Sequence, residues 1–167
     1  MPYRIWIFNQ QTLGPFSATA LLADIKAAHF STLCRQYGLD PGLIGLAMDH
    51  LAVEQGVDDH VPYFLVWYQP RHQPPIIVNR WHVAEIVGNH HLTGEVEGAL
   101  PPSIRSSLMR TQSIFSVSLE ESQLYNLGLL LAYEIARWVA SRGSGYVLGL
   151  DGAWYRLNAH QAFIPIA

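Results

Sequence analysis

SIFSVSLEESQLYNLGLLLAYEIARWVASRGSGYVLGLDGAWYRL, Ser113 to Leu157, carries the elements that decide the fold. Ser113–Val117 is short and β-rich and predicts a strand. In S-L-E-E, Ser118 and Glu121 have the spacing of a capping box, in which a hydroxyl and a carboxylate each satisfy an N–H left over at a helix start. The helix then runs over Leu119–Ser141. Leu124, Leu127, Leu131, Ile135 and Trp138 recur along one face, while Tyr125, Leu129, Leu130, Tyr133 and Val139 leave little of the other sides polar. Such a helix is covered on several sides. Arg142-Gly143-Ser144-Gly145 ends it, the glycines also allowing close packing. Tyr146–Leu150 and Ala153–Leu157 flank Asp151-Gly152, the two-residue hairpin signal of a primed turn, whose central residues need positive φ.

The N-terminal stretch repeats that order of elements. Tyr3–Phe8 (YRIWIF) alternates and predicts a strand. Ser17 is placed to N-cap a helix over Ser17–Tyr37, with Ala18, Leu21, Leu22 and Ile25 at helical spacing and Gly38 beyond its end. Asp40-Pro41 opens a short helix to about Asp49, and Leu51–Glu54 begins a strand. Pro62–Tyr68 (PYFLVWY) and Ile76–Val87 (IIVNRWHVAEIV) are β-branched and aromatic runs around a turn holding Pro70, Pro74 and Pro75, so an antiparallel pair is expected. Gly88–Pro102, with three Gly and two Pro, is a connection, and Ser103–Arg110 a short helix. The expected architecture is one α+β domain over 1–167, with 1–87 and 112–167 as candidate β-α-β-β halves joined by 88–111. Its largely antiparallel sheet has two main helices packed on one face, and its Trp-rich strands leave the other face to a partner.

Composition narrows the function classes. Half of the 167 residues are hydrophobic and only 14% are charged, against an average of about 25% in soluble domains. Part of the surface is therefore expected to be covered. Nine of the ten basic residues are Arg, Lys26 being the exception, and five Trp and eight Tyr accompany them. Arg, Trp and Tyr concentrate at interface centres, where Lys and Glu are depleted. A GC-rich genome also favours Arg over Lys, but it does not explain the low total charge. A net charge of −3 without any Lys/Arg run argues against nucleic acid. Leu124–Ala140, the most apolar stretch, is interrupted by Asn126, Glu134 and Arg137, so no membrane crossing is expected. The first residues lack the apolar core of a signal peptide, which makes the cytoplasm the expected compartment. Cys34 is the only cysteine, leaving neither an internal disulfide nor a cysteine zinc site.

Eight histidines raise the question of a metal or acid-base site, above all in Asp49-His50, Asp58-Asp59-His60 and Asn89-His90-His91. No H-E-x-x-H occurs, and no two histidines lie three or four apart on a predicted helix, so exposed loop histidines are the simpler reading. Cys34 falls near a helix end, away from the helix start where the dipole would activate it. No nucleophile elbow, Walker loop or dinucleotide fingerprint is present, and no cofactor is expected. Glu134 and Arg137, three apart, are expected to pair at the rim of the core. Asp151 serves the turn. The remaining candidates form an aromatic and arginine set: Trp67, Tyr68, Arg71, Arg80, Trp81, Trp154 and Tyr155, with Arg156 nearby and Asp58 and Asp59 as acidic neighbours.

The capped helix, its Gly-rich end and the D-G hairpin with Trp154-Tyr155 resemble the C-terminal part of small bacterial α+β proteins among the polymorphic-toxin and contact-dependent immunity families. That resemblance covers about a quarter of the chain and implies a protein that neutralises a toxin by binding it. The resulting expectation is a cytoplasmic protein-binding module that occludes its partner with an aromatic, Arg-rich face. Asp58, Asp59, Glu95 and Glu97 would steer a basic toxin toward it. Two alternatives stand beside it: a small metal-dependent hydrolase using the His/Asp loops, and a homo-oligomer, such as a homodimer, whose covered surface completes its own core.

Overall fold

In β1 (Tyr3–Asn9), Ile5 and Ile7 alternate with Trp6 and Phe8, and all four side chains are buried. A strand buried on both faces lies inside a sheet covered on both sides. The computed structural model describes residues 2–14, 17–26, 38–88, 100–125 and 127–167. After β1 come α1 (Ala18–Lys26), α2 (Pro41–His50), β2 (Ala52–Asp58), β3 (Val61–Trp67), β4 (Ile76–Trp81), α3 (Val83–Gly88) and α4 (Pro102–Leu108). β5 (Ser113–Leu119), a 3-10 turn (Glu121–Tyr125), α5 (Leu127–Gly143), β6 (Tyr146–Leu148), β7 (Trp154–Leu157) and β8 (Phe163–Pro165) complete the chain order. The strands form one sheet in the order β2-β3-β4-β5-β1-β6-β7-β8, every neighbouring pair antiparallel. The α+β class is as expected. Among the described residues, no helix is long and apolar enough to cross a membrane.

The main core lies on the face that carries Ile5, Ile7, Phe64, Val66, Ile76, Val78, Val117 and Val147, covered by Leu21 and Ile25 of α1, Ile44 and Ala47 of α2, and Leu131, Ile135 and Val139 of α5. Each of the Ile, Leu, Val and Phe side chains among these contributes about 1.5–3 kcal/mol by leaving water. Two caps fix the helices at the predicted places. Ser17 Oγ accepts from Ala20 N–H at 3.1 Å, and Asp40 Oδ1 accepts from Gly42 N–H at 2.8 Å with Pro41 at the first helical position. The rest of the predicted first helix, 27–37 with Cys34, lies outside the described residues. Gly143 and Gly145 dock the end of α5 on β1: a Cβ on Gly143 would stand 2.4 Å from Asn9 Cγ, and Gly143 C=O accepts from Gln10 and Gln11 N–H.

On the opposite face a smaller core joins Trp6, Phe8, Ile114, Leu148 and Trp154 to Ile86 of α3 and Ile104 of α4. This corrects the predicted strand over Ile76–Val87, which stops at Trp81. Val83 and Ile86, three apart, meet the same small core; a strand would have aimed them at opposite faces.

The predicted capping box is also displaced. Ser118 belongs to β5, opposite Arg4 and Ile77, and Glu121 opens the 3-10 turn. The side chain that reaches back is Gln123, whose Oε1 accepts from Glu120 N–H at 2.8 Å while its Nε2 donates to Pro74 C=O at 2.9 Å. The final hairpin has three loop residues, Leu150-Asp151-Gly152. Gly152 N–H donates to Gly149 C=O and Gly152 has φ +76. Asp151 stays outside the left-handed region, so a turn followed by one left-handed glycine replaces the two-residue primed turn.

Candidate functional site: an aromatic and arginine face on β3 and β4

The small core reaches only part of its sheet face. Beyond it, Tyr63, Leu65 and Trp67 of β3 and Ile77 of β4 alternate onto the same face, half-buried, and among the described residues belong to neither core. Register sets them in rows across the strands: Leu65, Ile77, Ser118 and Arg4 in one, Tyr63, Asn79, Ser116 and Trp6 in the next. Ser118 Oγ is buried and has no hydrogen-bond partner among the described residues.

Aromatic rings held by polar contacts bound this patch at both ends. Trp67 Nε1–H donates to Glu54 Oε2 at 3.2 Å. The Arg71 guanidinium lies 4.5 Å from the centre of the Trp67 ring and binds Glu54 Oε1 at 2.6 Å. Both ends of that ion pair are about half exposed, so its role is to orient the ring and its stabilising effect is small. At the other end Trp81 Nε1–H donates to Ser116 Oγ at 2.9 Å. Arg4 lies over both the Trp6 and Trp81 rings, 5.9 and 5.8 Å from their centres. Rings immobilised in this way lose little entropy on contact with a partner.

Next to Trp81 opens a cleft of about 480 Å³, lined by Arg4, Asp58, Asp59, Tyr63, Asn79, Arg80 and His82. A smaller hollow of about 240 Å³ adjoins it, lined by His60, Arg80, Trp81 and His82. Asp59 and His60 make the two-residue turn between β2 and β3, both with positive φ, 44° and 66°, the primed geometry that glycine and asparagine favour. The cleft thus offers carboxylates, the Arg4 guanidinium and rings within one concavity, a mixture suited to protein side chains, while Arg80 borders it with its guanidinium over the Phe115 ring, 5.8 Å from the ring centre. Its hydroxyl neighbours are engaged: Ser116 by Trp81, and Ser113, which donates to Gln11 C=O at 3.4 Å. Among the described residues no three of His, Cys, Asp and Glu converge on a metal position. His50 closes α2, and His90 and His91 lie outside the described residues.

The predicted set therefore divides. Trp67 and Arg71 stand at one end of the face, and Asp58, Asp59, Arg80 and Trp81 gather at the cleft. Tyr68 and Trp154 are buried, Trp154 packing on Phe8 with ring centres 5.4 Å apart, so neither presents a surface to a partner. Tyr155 lies across the sheet, edge-on to Phe163, and its hydroxyl donates to Asp151 Oδ2. Glu134 and Arg137 pair as expected, with Arg137 Nη1 also reaching Gln161 Oε1 at 2.6 Å; the hydrogen bond to Glu134 raises the Arg137 pKa. Sequence reasoning missed Arg4, Tyr63, Leu65, Ile77, Asn79 and His82. Alternation in YRIWIF already places Arg4 beside Trp6, but their meeting with Trp81 depends on β4-β5-β1 pairing across a long sequence separation. The chain shows no match to protein-family models, to curated proteins or to solved structures.

Proposed function

We propose that the chain is a protein-binding module whose contact surface is the β3–β4 face and the adjoining cleft. The observation that carries this reading is the set of four apolar side chains, Tyr63, Leu65, Trp67 and Ile77, that pack in neither core. Tyr63, Leu65 and Ile77 lie between two oriented tryptophans, Trp67 at Glu54–Arg71 and Trp81 at Ser116, which gives a hydrophobic centre with a polar rim, the anatomy of a specific interface. In its most specific form the module is an immunity protein that occludes the active site of a toxin, Asp58 and Asp59 steering a basic surface toward the cleft.

The test is co-expression with a toxin gene adjacent to this one. Protection from growth arrest is expected from the natural chain and is lost in Leu65→Arg and Ile77→Lys, which place a charge at the contact centre. Tyr155→Phe, on the other side of the sheet, retains protection. Absence of both protection and binding by the natural chain overturns the immunity reading. Retained binding in both charged variants overturns the assignment of the face.

A further inference from the structure

We propose that two copies of the chain join through β2, edge to edge and antiparallel, about a two-fold axis at Gln55. The sheet has two ends. β8 is short, three residues with Pro165 among them, which are the usual devices that keep an edge from pairing. β2 is seven residues long, AVEQGVD, with neither Pro nor Lys, and it ends the sheet with β3 as its only partner strand among the described residues.

The backbone pattern of that edge is symmetric. Asp58 and Val61 flank the two-residue turn, and the residues flanking such a turn form a doubly hydrogen-bonded pair. Alternation then directs the N–H and C=O groups of Asp58, Gly56, Glu54 and Ala52 to β3, and those of Val57, Gln55 and Val53 outward. Three outward residues centred on Gln55 match their own copy after a half-turn: Val53 faces Val57 of the second copy, Gln55 faces Gln55, and Val57 faces Val53. This register forms about six backbone hydrogen bonds, two from each pair. It keeps equivalent side chains on the same sheet face, as a two-fold contact requires.

Side chains agree with the same register. Glu54 meets Gly56 and Asp58 meets Ala52, so no like charges stand directly opposite, and Glu54 is already neutralised by Arg71. Val57 is 64% exposed, an uncommon state for a β-branched residue in a strand, and pairing covers it with Val53. Leu43 and Leu46, 54% and 58% exposed, lie on α2, which leads directly into β2.

This inference does not rest on the partner-binding reading: it stands on the backbone edge of β2, whose Glu54 and Asp58 also border the β3–β4 face and its cleft. Sedimentation across the micromolar range is expected to give a two-chain mass for the natural protein and a one-chain mass for Gln55→Pro. That proline removes only an outward N–H, so far-UV circular dichroism should stay unchanged. Val57→Lys, a charge on the same edge, is a second disrupting variant should the proline disturb folding. As a positive readout, Gln55→Cys in a Cys34→Ser background should cross-link to a two-chain species under mild oxidation, because doubly hydrogen-bonded antiparallel pairs hold their Cα atoms about 5.5 Å apart, within disulfide reach. Gln161→Cys in that background should not. A one-chain mass for the natural protein throughout overturns the proposal, as does a two-chain mass that survives in both disrupting variants.

Discussion

Asp59 and His60 hold left-handed backbone conformations in the turn from β2 to β3, which costs a non-glycine residue on the order of 1–2 kcal/mol. Asn-Gly would serve the turn better, and the retained Asp and His line the cleft and the hollow beside it. The double variant Asp59→Asn, His60→Gly is therefore expected to gain about 1 kcal/mol, seen as a rise of roughly 2–4 °C in Tm for a chain of this size, while binding through the cleft weakens. In sequence, Asp58-Asp59-His60 looked like loop chemistry because neither Gly nor Asn announced the turn. Tyr155 supplies a pH test. Its hydrogen bond to the Asp151 carboxylate pushes its pKa up from 10.0 to about 12. A folded-state pKa above the unfolded one means stabilisation that is complete below about pH 10 and lost as pH rises to about 12. Tyr155→Phe should accordingly lie below the natural chain in Tm at pH 9, and the two melting curves should converge by pH 12.

At the scale of elements, the sequence shows the first turns of α1, the whole of α2 and most of α5, but misplaces the start of α5. S-L-E-E has capping-box spacing, but the contact that forms two residues later runs from Glu120 N–H to Gln123 Oε1. The displacement rests on β5, whose pairing to β1 and β4 continues to Leu119 and Ser118 and takes Ser118 into the sheet. Tertiary pairing of that kind has no local signature, which is also why Trp81 and Val83 looked like one strand. Substitutions separate the two capping arrangements. Ser118→Ala removes a buried hydroxyl that has no partner among the described residues, so stability should hold or rise, whereas loss of a true N-cap would cost about 1 kcal/mol. Gln123→Ala strands Glu120 N–H and Pro74 C=O together and should cost about 2 kcal/mol, measured by urea denaturation. The final hairpin was legible because Gly152 marks its own turn; its three-residue loop was not, since D-G serves both loop lengths.

Across the whole molecule, the scarcity of charge follows from a sheet covered on both faces around β1, and among the described residues no element packs over the β3–β4 face or pairs with the outer edge of β2. The order of strands further dictates how the chain holds together. β1 comes from the N-terminal stretch, yet both of its neighbours, β5 and β6, come from beyond residue 112. The main core likewise joins Ile5 and Ile7 to Leu131, Ile135 and Val139 of α5. A fragment of residues 1–110 would leave both edges of β1 unpaired and the apolar faces of Ile5, Ile7, Trp6 and Phe8 in water, a loss of about 6–12 kcal/mol from these side chains alone, comparable to the whole 5–15 kcal/mol that separates folded from unfolded domains. Expressed alone, that fragment is expected to lack the near-ultraviolet dichroism of packed tryptophan and a cooperative melt. Mixed with residues 111–167, it should recover both, because β1 can then insert between β5 and β6. A cooperative melt of the 1–110 fragment on its own would show that β2, β3 and β4 hold a core without their central partner, contrary to the packing of Ile76 and Val78 in one cluster with Val117 and α5.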